Sequence, residues 1–478
     1  MTDMTNIPTD LSNLFSPQIS EVISSTIFKS TVRLDASFYG NLNHILKPVN
    51  NAPLHEFCER IFNPPVFKRE FQETENNGCR YLASSEIISL DPDEAFIHDM
   101  QAKMLDLKVY KGWILITGFG TIGSIRMVDN IIDGYAVANN VARITPKNSE
   151  EMSGFIAAFL SCPVGKALLN DHASGSVVRY IEAPTISNIP IPIINEVLIK
   201  KINANCRQAV SLREEVFNIL NQSEKLIYGV SGLPWLYDRD AAWFDPDRNI
   251  ESVLVSSSEV LHNNHSGSEY RLEAHFYNPL AQLAIRNIRQ SKSKVKTIDD
   301  VTERVFMCNR FKRNYVDEEY GVPFLSGKNI IQIRPTDWKY LSKSETHDLE
   351  EYFLEKKWTL ITCSGTIGRT CFVWHNYENY SATQHIIRVV PKEEVIDPGY
   401  LYAFLSSQYG KQQVLRFTHG SVIDEITDKQ IKKVLIPLPS KIEQKAIGDL
   451  VRAAYEKRAE AIRLEDEAQK ILMDTLTQ

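Results

Sequence analysis

The chain repeats itself, and the repeat limits what it can fold into. Trp113-Ile-Leu-Ile-Thr-Gly-Phe-Gly-Thr-Ile-Gly123 returns as Trp358-Thr-Leu-Ile-Thr-Cys-Ser-Gly-Thr-Ile-Gly368, with eight of eleven residues identical at an offset of 245. The same offset carries Arg143 to Arg388, Pro146 to Pro391, Phe159-Leu160-Ser161 to Phe404-Leu405-Ser406, and Gly165-Lys166 to Gly410-Lys411. It also carries Gly175-Ser176-Val177 to Gly420-Ser421-Val422, and Pro192 to Pro437. With small shifts the match reaches further back. Residues 33–39 return as 271–277, Glu59-Arg60 as Glu303-Arg304, and Phe67-Lys68-Arg69 as Phe311-Lys312-Arg313. An ordered series of this kind is a duplication, so the two halves share one architecture.

Within each copy, residues 113–117 form a β-rich run, 118–123 a turn, and 124–128 and 141–144 further strands. Residues 152–169 carry helical spacing, and the Pro-rich 186–194 suits an edge strand. Each copy then ends in a long segment free of mid-helix Pro, residues 195–228 and the stretch after Pro439. In the first, Leu198, Ile202, Asn205/Cys206, Ala209, Leu212, Val216, Ile219 and Leu226 alternate at spacings of three and four. The second shows Ile442, Ala446, Leu450, Ala453, Ala461, Leu464, Ala468 and Ile471, with Arg213 and Arg458 read as lying off the stripes. Narrow stripes on two such helices predict an antiparallel coiled coil within the chain. The expected fold is mixed α/β (α+β), with a pseudo-twofold repeat. A globular domain over 1–194 precedes a helix over 195–230; a linker and second domain over 231–439 precede a helix over 440–478.

The chain has 478 residues, 43% hydrophobic and 24% charged, as ordinary globular proteins do. No apolar run approaches the roughly 20 residues of a membrane helix, and residues 1–10 lack a signal-peptide pattern. Seven scattered cysteines without a CxxC pair read as reduced thiols of a cytoplasmic protein, and they spell no zinc site. A net charge of −7 excludes a chain that coats nucleic acid by bulk attraction, leaving local basic patches open. Gly118-Phe-Gly-Thr-Ile-Gly123 matches GxGxxG, but a strand follows where a dinucleotide site needs a helix, and the second copy lacks the first glycine. Those glycines read instead as a strand-to-strand turn with positive φ. Asn63-Pro-Pro-Val66 is similar to the Asn-Pro-Pro-aromatic loop of adenine methyltransferases, but Val66 cannot stack on a flipped base. No metalloprotease, P-loop or nucleophile-elbow motif is present, so no catalytic residue, cofactor site or metal site is expected in this chain.

The run Gly420-Ser421 … Ile426, followed by Ile436-Pro-Leu-Pro439 … Ile442-Glu443-Gln444, resembles the specificity subunits of type I restriction-modification systems. The resemblance extends from about Arg33 to the C-terminus and rests on the order of short motifs in both halves. It implies two target recognition domains, each reading one half of a split site in double-stranded DNA. It implies that the helices set the spacing between half-sites and dock two methyltransferase subunits, which carry S-adenosylmethionine. Restriction/translocase subunits using ATP and Mg would join them. A free-standing adenine methyltransferase, a nucleotide-dependent oxidoreductase, a scaffold without DNA, and the specificity subunit of a related phage-defence system stand as competing readings.

Duplication sorts the candidate DNA contacts. Matched positions suit scaffold or phosphate contact, and unmatched positions suit base readout. The matched basic pairs Lys68-Arg69 and Lys312-Arg313 are therefore phosphate candidates. The unmatched set places Arg80 against Pro323, Lys328 against Ser85, Arg369 against Ser124, Arg126 against Cys371, and Arg179 against Asp424. Arginine suits guanine in the major groove, and aspartate suits the amino group of cytosine.

Overall fold

The computed structural model describes residues 50–72, 78–90, 92, 95–120, 122–174, 179–236, 257, 271–336, 338–375, 377–420 and 422–477. The repeat segment 33–39, the Gly-Ser loop 175–177 and most of the linker 229–268 lie outside these residues. The chain divides into two compact units, Met1–Glu214 with Glu460–Gln478, and Glu215–Ala459.

The first unit contains β1 (Asn51–Pro53), β2 (Cys58–Phe62), β3 (Phe71–Gln72), β4 (Gly78–Leu82) and β5 (Phe96–His98). It continues with β6 (Ile114–Thr117), β7 (Ile125–Met127), β8 (Ala136–Val137), β9 (Val141–Pro146), α1 (Ser149–Ser161), α2 (Pro163–Asp171) and β10 (Pro190–Pro192). The single helix expected over 152–169 is two, broken at Cys162, because Pro163 has no N–H to continue the first. A large sheet has the order β2-β9-β6-β7, a small one β3-β5-β4-β8, and β1 pairs with β10. All pairings are antiparallel except β4 with β8. The long helix α3 (Glu196–Ser231) begins in this unit.

The second unit adds α4 (Pro279–Arg289) and then repeats the plan. Its strands are β11 (Lys294–Thr297), β12 (Thr302–Phe306), β13 (Tyr315–Val316), β14 (Gly321–Leu325) and β15 (Lys339–Ser342), then β16 (Thr359–Thr362), β17 (Thr370–Phe372), β18 (Ser381–Ala382), β19 (Ile386–Pro391) and β20 (Leu435–Leu438). Its helices are α5 (Pro398–Ser406), α6 (Gln408–Leu415) and α7 (Lys441–Leu476). The sheet orders are β12-β19-β16-β17, β13-β15-β14-β18 and β11-β20, the same as in the first unit. Even the bulge recurs, at Cys58/Arg60 and at Thr302/Arg304.

One matched arginine fastens the two sheets of each unit. Arg143 on β9 is fully buried, and its guanidinium donates to the carbonyls of Leu107, Val137, Ala138 and Val141. Arg388 on β19 donates to Ala382, Thr383 and Ile386. Val137 and Ala382 lie on β8 and β18, so an arginine of the large sheet holds the last strand of the small one. Burial pushes the Arg143 pKa down to about 9, so it remains charged at neutral pH.

The seam between the long helices follows the sequence stripes at Ile202, Cys206, Ala209 and Val216 of α3 and at Ala461, Leu464 and Ala468 of α7, and departs from them elsewhere. Along α3 the inward positions are Ile202, Cys206, Ala209, Arg213, Val216, Leu220, Ser223 and Ile227. Along α7 they are Ile447, Val451, Ala454, Arg458, Ala461, Ala468 and Leu472, each at the same offset of 245 from a position on α3. Leu226, Ile442, Ala446 and Ala453, expected inside, are exposed. In the first unit Ile202 and Cys206 share a core with Ala468 and Leu472, while Ala209 packs with Ala461 and Leu464. Arg213, expected outside, forms two 2.6 Å hydrogen bonds to the Glu465 carboxylate. In the second unit Ile227 and Tyr228 share a core with Ile447, Val451 and Tyr455, and Lys457 meets Glu215 at 2.6 Å. In both units the helix segments run antiparallel.

Each domain presses one helix onto a long helix through glycine. A Cβ on Gly154 of α1 would lie 2.7 Å from the Asn203 carbonyl oxygen, and one on Gly399 of α5 would lie 2.7 Å from Gly448 Cα. Asn203 occupies the space with two hydrogen bonds, accepting from Gly154 N–H and donating to the Glu150 carbonyl.

Candidate nucleic-acid interface

The Gly-Thr-Ile-Gly segments are hairpin turns between β6 and β7 and between β16 and β17. Gly120, Gly123, Gly365 and Gly368 all have φ between 75° and 80°, a region costly for any residue with a Cβ. The chain therefore enters a strand here, and the geometry is that of a turn. The Asn63-Pro-Pro-Val66 loop is likewise structural. Asn63 donates to the Asn139 carbonyl and accepts from Ala183 N–H, while Val66 is exposed and holds nothing.

The loops carrying the matched basic pairs run into the small sheets. Phe67 packs on the core of the small-sheet side, and Phe311 stacks against Tyr352 at 4.0 Å. These anchors turn Lys68 and Lys312 outward, and both are exposed. The next residue lies over a ring: Arg69 over Tyr81 of β4, and Arg313 over Phe324 of β14, at 5.7 and 5.6 Å. Each of these rings in turn contacts an exposed aromatic on the neighbouring segment, Phe71 and Tyr315, at 6.0 Å. Arg69 Nε donates to the Tyr81 hydroxyl, and Arg313 donates to Thr383 and Gln384. A cation held against an aromatic face keeps its charge while losing rotamer freedom, which suits a fixed contact to phosphate.

A second matched set was not anticipated from the sequence. Arg60 lies 3.6 Å over Phe62, which meets Trp113 edge-on; Arg304 lies 4.2 Å over Phe306, which meets Trp358 edge-on. The signal was an Arg-x-Phe spacing on a strand, present in both copies of the repeat.

The unmatched candidates separate into two groups. Arg80 is half-buried and donates to the Tyr135 hydroxyl at 3.0 Å. Arg179 is exposed and donates to the Asn170 carbonyl. Lys328 and Asp424 are exposed. Arg126 and Arg369, by contrast, are 8% and 4% exposed and belong to the interior. Arg126 is engaged by the Ile87 carbonyl and by Asp129, both at 2.9 Å, which leaves it no freedom to meet a base. The cause is strand alternation: on β7 the inward side chain is Arg126, between the half-buried Ile125 and Met127.

All seven cysteines are free. Burial pushes Cys58 and Cys363 to about 12 and Cys162 to about 11, so these thiols stay protonated at neutral pH. No group of His, Cys, Asp or Glu among the described residues could hold a metal ion. Among the described residues no single helix is long and apolar enough to cross a membrane.

Two copies of one α/β domain, each carrying ring-backed basic residues and each attached to a long helix, make this a duplicated two-domain protein. The type I restriction modification DNA specificity domain matches at residues 47–196 and again at 290–465, and the chain belongs to that family. It is a DNA target-recognition subunit, and its role in recognition is non-catalytic. Three solved structures are similar over nearly the whole chain. The S subunit of a type I system from M. genitalium has 13% identity and a TM-score of 0.30, covering 90% of this chain and 96% of that one. The HsdS subunit from Thermoanaerobacter tengcongensis has 14% identity and a TM-score of 0.29, covering 90% and 97%. A structure describing complex assembly and conformational transition of the type I R-M system has 14% identity and a TM-score of 0.27, covering 89% and 97%. A comparison with curated proteins finds no significant match.

Proposed function

We propose that the two domains each read one part of a bipartite, asymmetric DNA target, and that the paired helices set the spacer and dock two methyltransferase subunits. The observation that carries this reading is the repeat itself. The backbone plan and the ring-backed arginines are the same in both units, while Arg80, Lys328, Arg179 and Asp424 have unlike counterparts. Matched positions then grip phosphate, and unmatched ones distinguish two half-sites. Adenine methylation with S-adenosylmethionine, and ATP- and Mg-dependent translocation and cleavage, fall to partner subunits. Seven free thiols, none in a disulfide, fit work in the reducing cytoplasm.

Methylation mapping in cells that express the chain with its partners tests the reading. A split adenine-methylated motif with unlike halves is expected, and a continuous motif would refute it. In the purified complex, K68A/R69A should weaken binding to all sequences alike and flatten the salt slope by roughly 2. A loss confined to certain sequences would reassign this pair to base readout. One heptad inserted after Gln208 and one after Tyr455 should keep the helix seam in register and lengthen the spacer by about three base pairs. An unchanged spacer in an active complex would remove the helices as the ruler.

A further inference from the structure

Beside each glycine hairpin, three segments of chain lie side by side. In the first unit Phe119 bridges Tyr180, and Tyr180 bridges Ser174; in the second, Ser364 bridges Glu425, and Glu425 bridges His419. The three positions correspond at the offset of 245. The backbone bonds correspond too. Tyr180 and Ser174 exchange two N–H···O bonds, and Ile181 N–H reaches the Gly118 carbonyl; Glu425 and His419 exchange two, and Ile426 N–H reaches the Cys363 carbonyl. Opposed residues in antiparallel pairing project to one face, so each triplet presents three adjacent side chains.

The backbone is matched here and the side chains are not. Phe119 and Tyr180 stack at 5.5 Å with ring planes 12° apart, forming an aromatic plate, and Phe119 is 38% exposed. The second unit shows a polar set in its place. His419 Nδ1 lies 3.1 Å from the Phe417 carbonyl oxygen and 3.5 Å from Gln430 Nε2. Among the described residues no side chain donates a hydrogen bond to the Glu425 carboxylate. Next to both triplets, Gly120 and Gly365 are open, with nothing within 4 Å of where a Cβ would stand, so another molecule can approach the backbone there. If this ledge served only to hold the fold, its side chains would face the same packing demand in both units. They face none in common, and they remain partly exposed.

We propose that residues 119, 174 and 180, and residues 364, 419 and 425, are base-reading positions, the first triplet taking an apolar base edge and the second an exocyclic amino group. The chemistry follows from the groove edges: an aromatic plate suits the thymine methyl, and a carboxylate accepts from the amino group of cytosine. The proposal rests on the bipartite-target reading above.

The test uses the full chain co-expressed with its methyltransferase partner, with methylation mapped across the genome and assembly checked by co-elution. F119S/S174H/Y180E gives the first unit the second unit's triplet, and E425Q changes one group conservatively. The triple variant should change base preference at one or two positions of one half-site and leave the other half and the spacer unchanged. E425Q should raise methylation of sites substituted at one position of the other half by roughly tenfold relative to the cognate site. An assembled variant that keeps the parental motif, or that loses methylation on every sequence alike, overturns the proposal while the bipartite reading stands. A parental complex without a split motif removes that reading, and this one with it.

Discussion

The two units solve one packing problem in opposite ways. In the first, a guanidinium reaches the loop after β4 from strand β7, where Arg126 donates to the Ile87 carbonyl and pairs with Asp129. In the second, the residue aligned with Arg126 is Cys371, and the guanidinium arrives from the long helix. Arg458 of α7 donates to the Gln332 carbonyl in the loop after β14 and to the Tyr377 hydroxyl, with its Nη1 3.9 Å from Cys371 Sγ. The repeat partner of Arg458 is Arg213, which pairs instead with Glu465. The first unit ties its helix to the domain by a carboxylate: Glu214 accepts from the backbone and side-chain N–H groups of Asn130 at 2.7 Å. A buried cation beneath the small sheet is thus retained, while the element that supplies it is exchanged.

The largest effects that would sharpen this comparison come from the two arginines. R126M takes the cation from the buried Asp129 carboxylate and leaves it only the Ile131 and Ile132 N–H donors, so it should destabilise the first unit by about 3–5 kcal/mol. R458M leaves the Gln332 carbonyl and Tyr377 hydroxyl without their donor and should cost the second unit about 2–3 kcal/mol. Hydrogen exchange measured across the whole chain should show each loss of protection confined to its own unit. Equal loss in both would mean that the guanidiniums are not local fasteners. Somewhat smaller effects are expected where the units agree. G154A and G399A each drive a Cβ into the facing long helix, and overpacking should cost about 1–3 kcal/mol in denaturant unfolding. A neutral G399A beside a damaging G154A would show that Gly448 yields where Asn203 does not. Smallest are G120A and G365A, which have open space but φ of 76° and 75°. Each should cost about 1–2 kcal/mol from backbone strain alone, with the same value in both units.

Much of this architecture was legible in the chain. The offset of 245 predicted the twin sheets, the hairpin glycines and the two helices, because turns and apolar strands leave local marks. Hydrophobic spacing marks the helix seam only in part, because polar residues share it. Arg213 and Ser223 on α3 and Arg458 on α7 occupy inward positions, while the apolar Leu226, Ile442 and Ala446 face out. The repeat offered a better guide, since Ile202 and Ile447, and Arg213 and Arg458, already stood 245 apart. Mismatch between the repeats placed Arg126 and Arg369 among the base-reading candidates, but a position can differ between repeats for packing reasons too, and both side chains are buried. The bridged triplets left no motif, because their likeness is in backbone hydrogen bonds and only their differences are in side chains.

The first unit is discontinuous in sequence, and this bears on how a ribosome delivers it. Its core cluster joins Phe155, Leu160, Ile202 and Cys206 to Ala468, Leu472 and Leu476. Those last three residues emerge only after the entire second unit has been translated. Until then the nascent first domain exposes the apolar stripe of α3 that they cover, a condition that invites chaperones or misassociation. The second unit, whose residues Glu215–Ala459 form one unbroken stretch, has no such wait. The domain made first is therefore the one finished last.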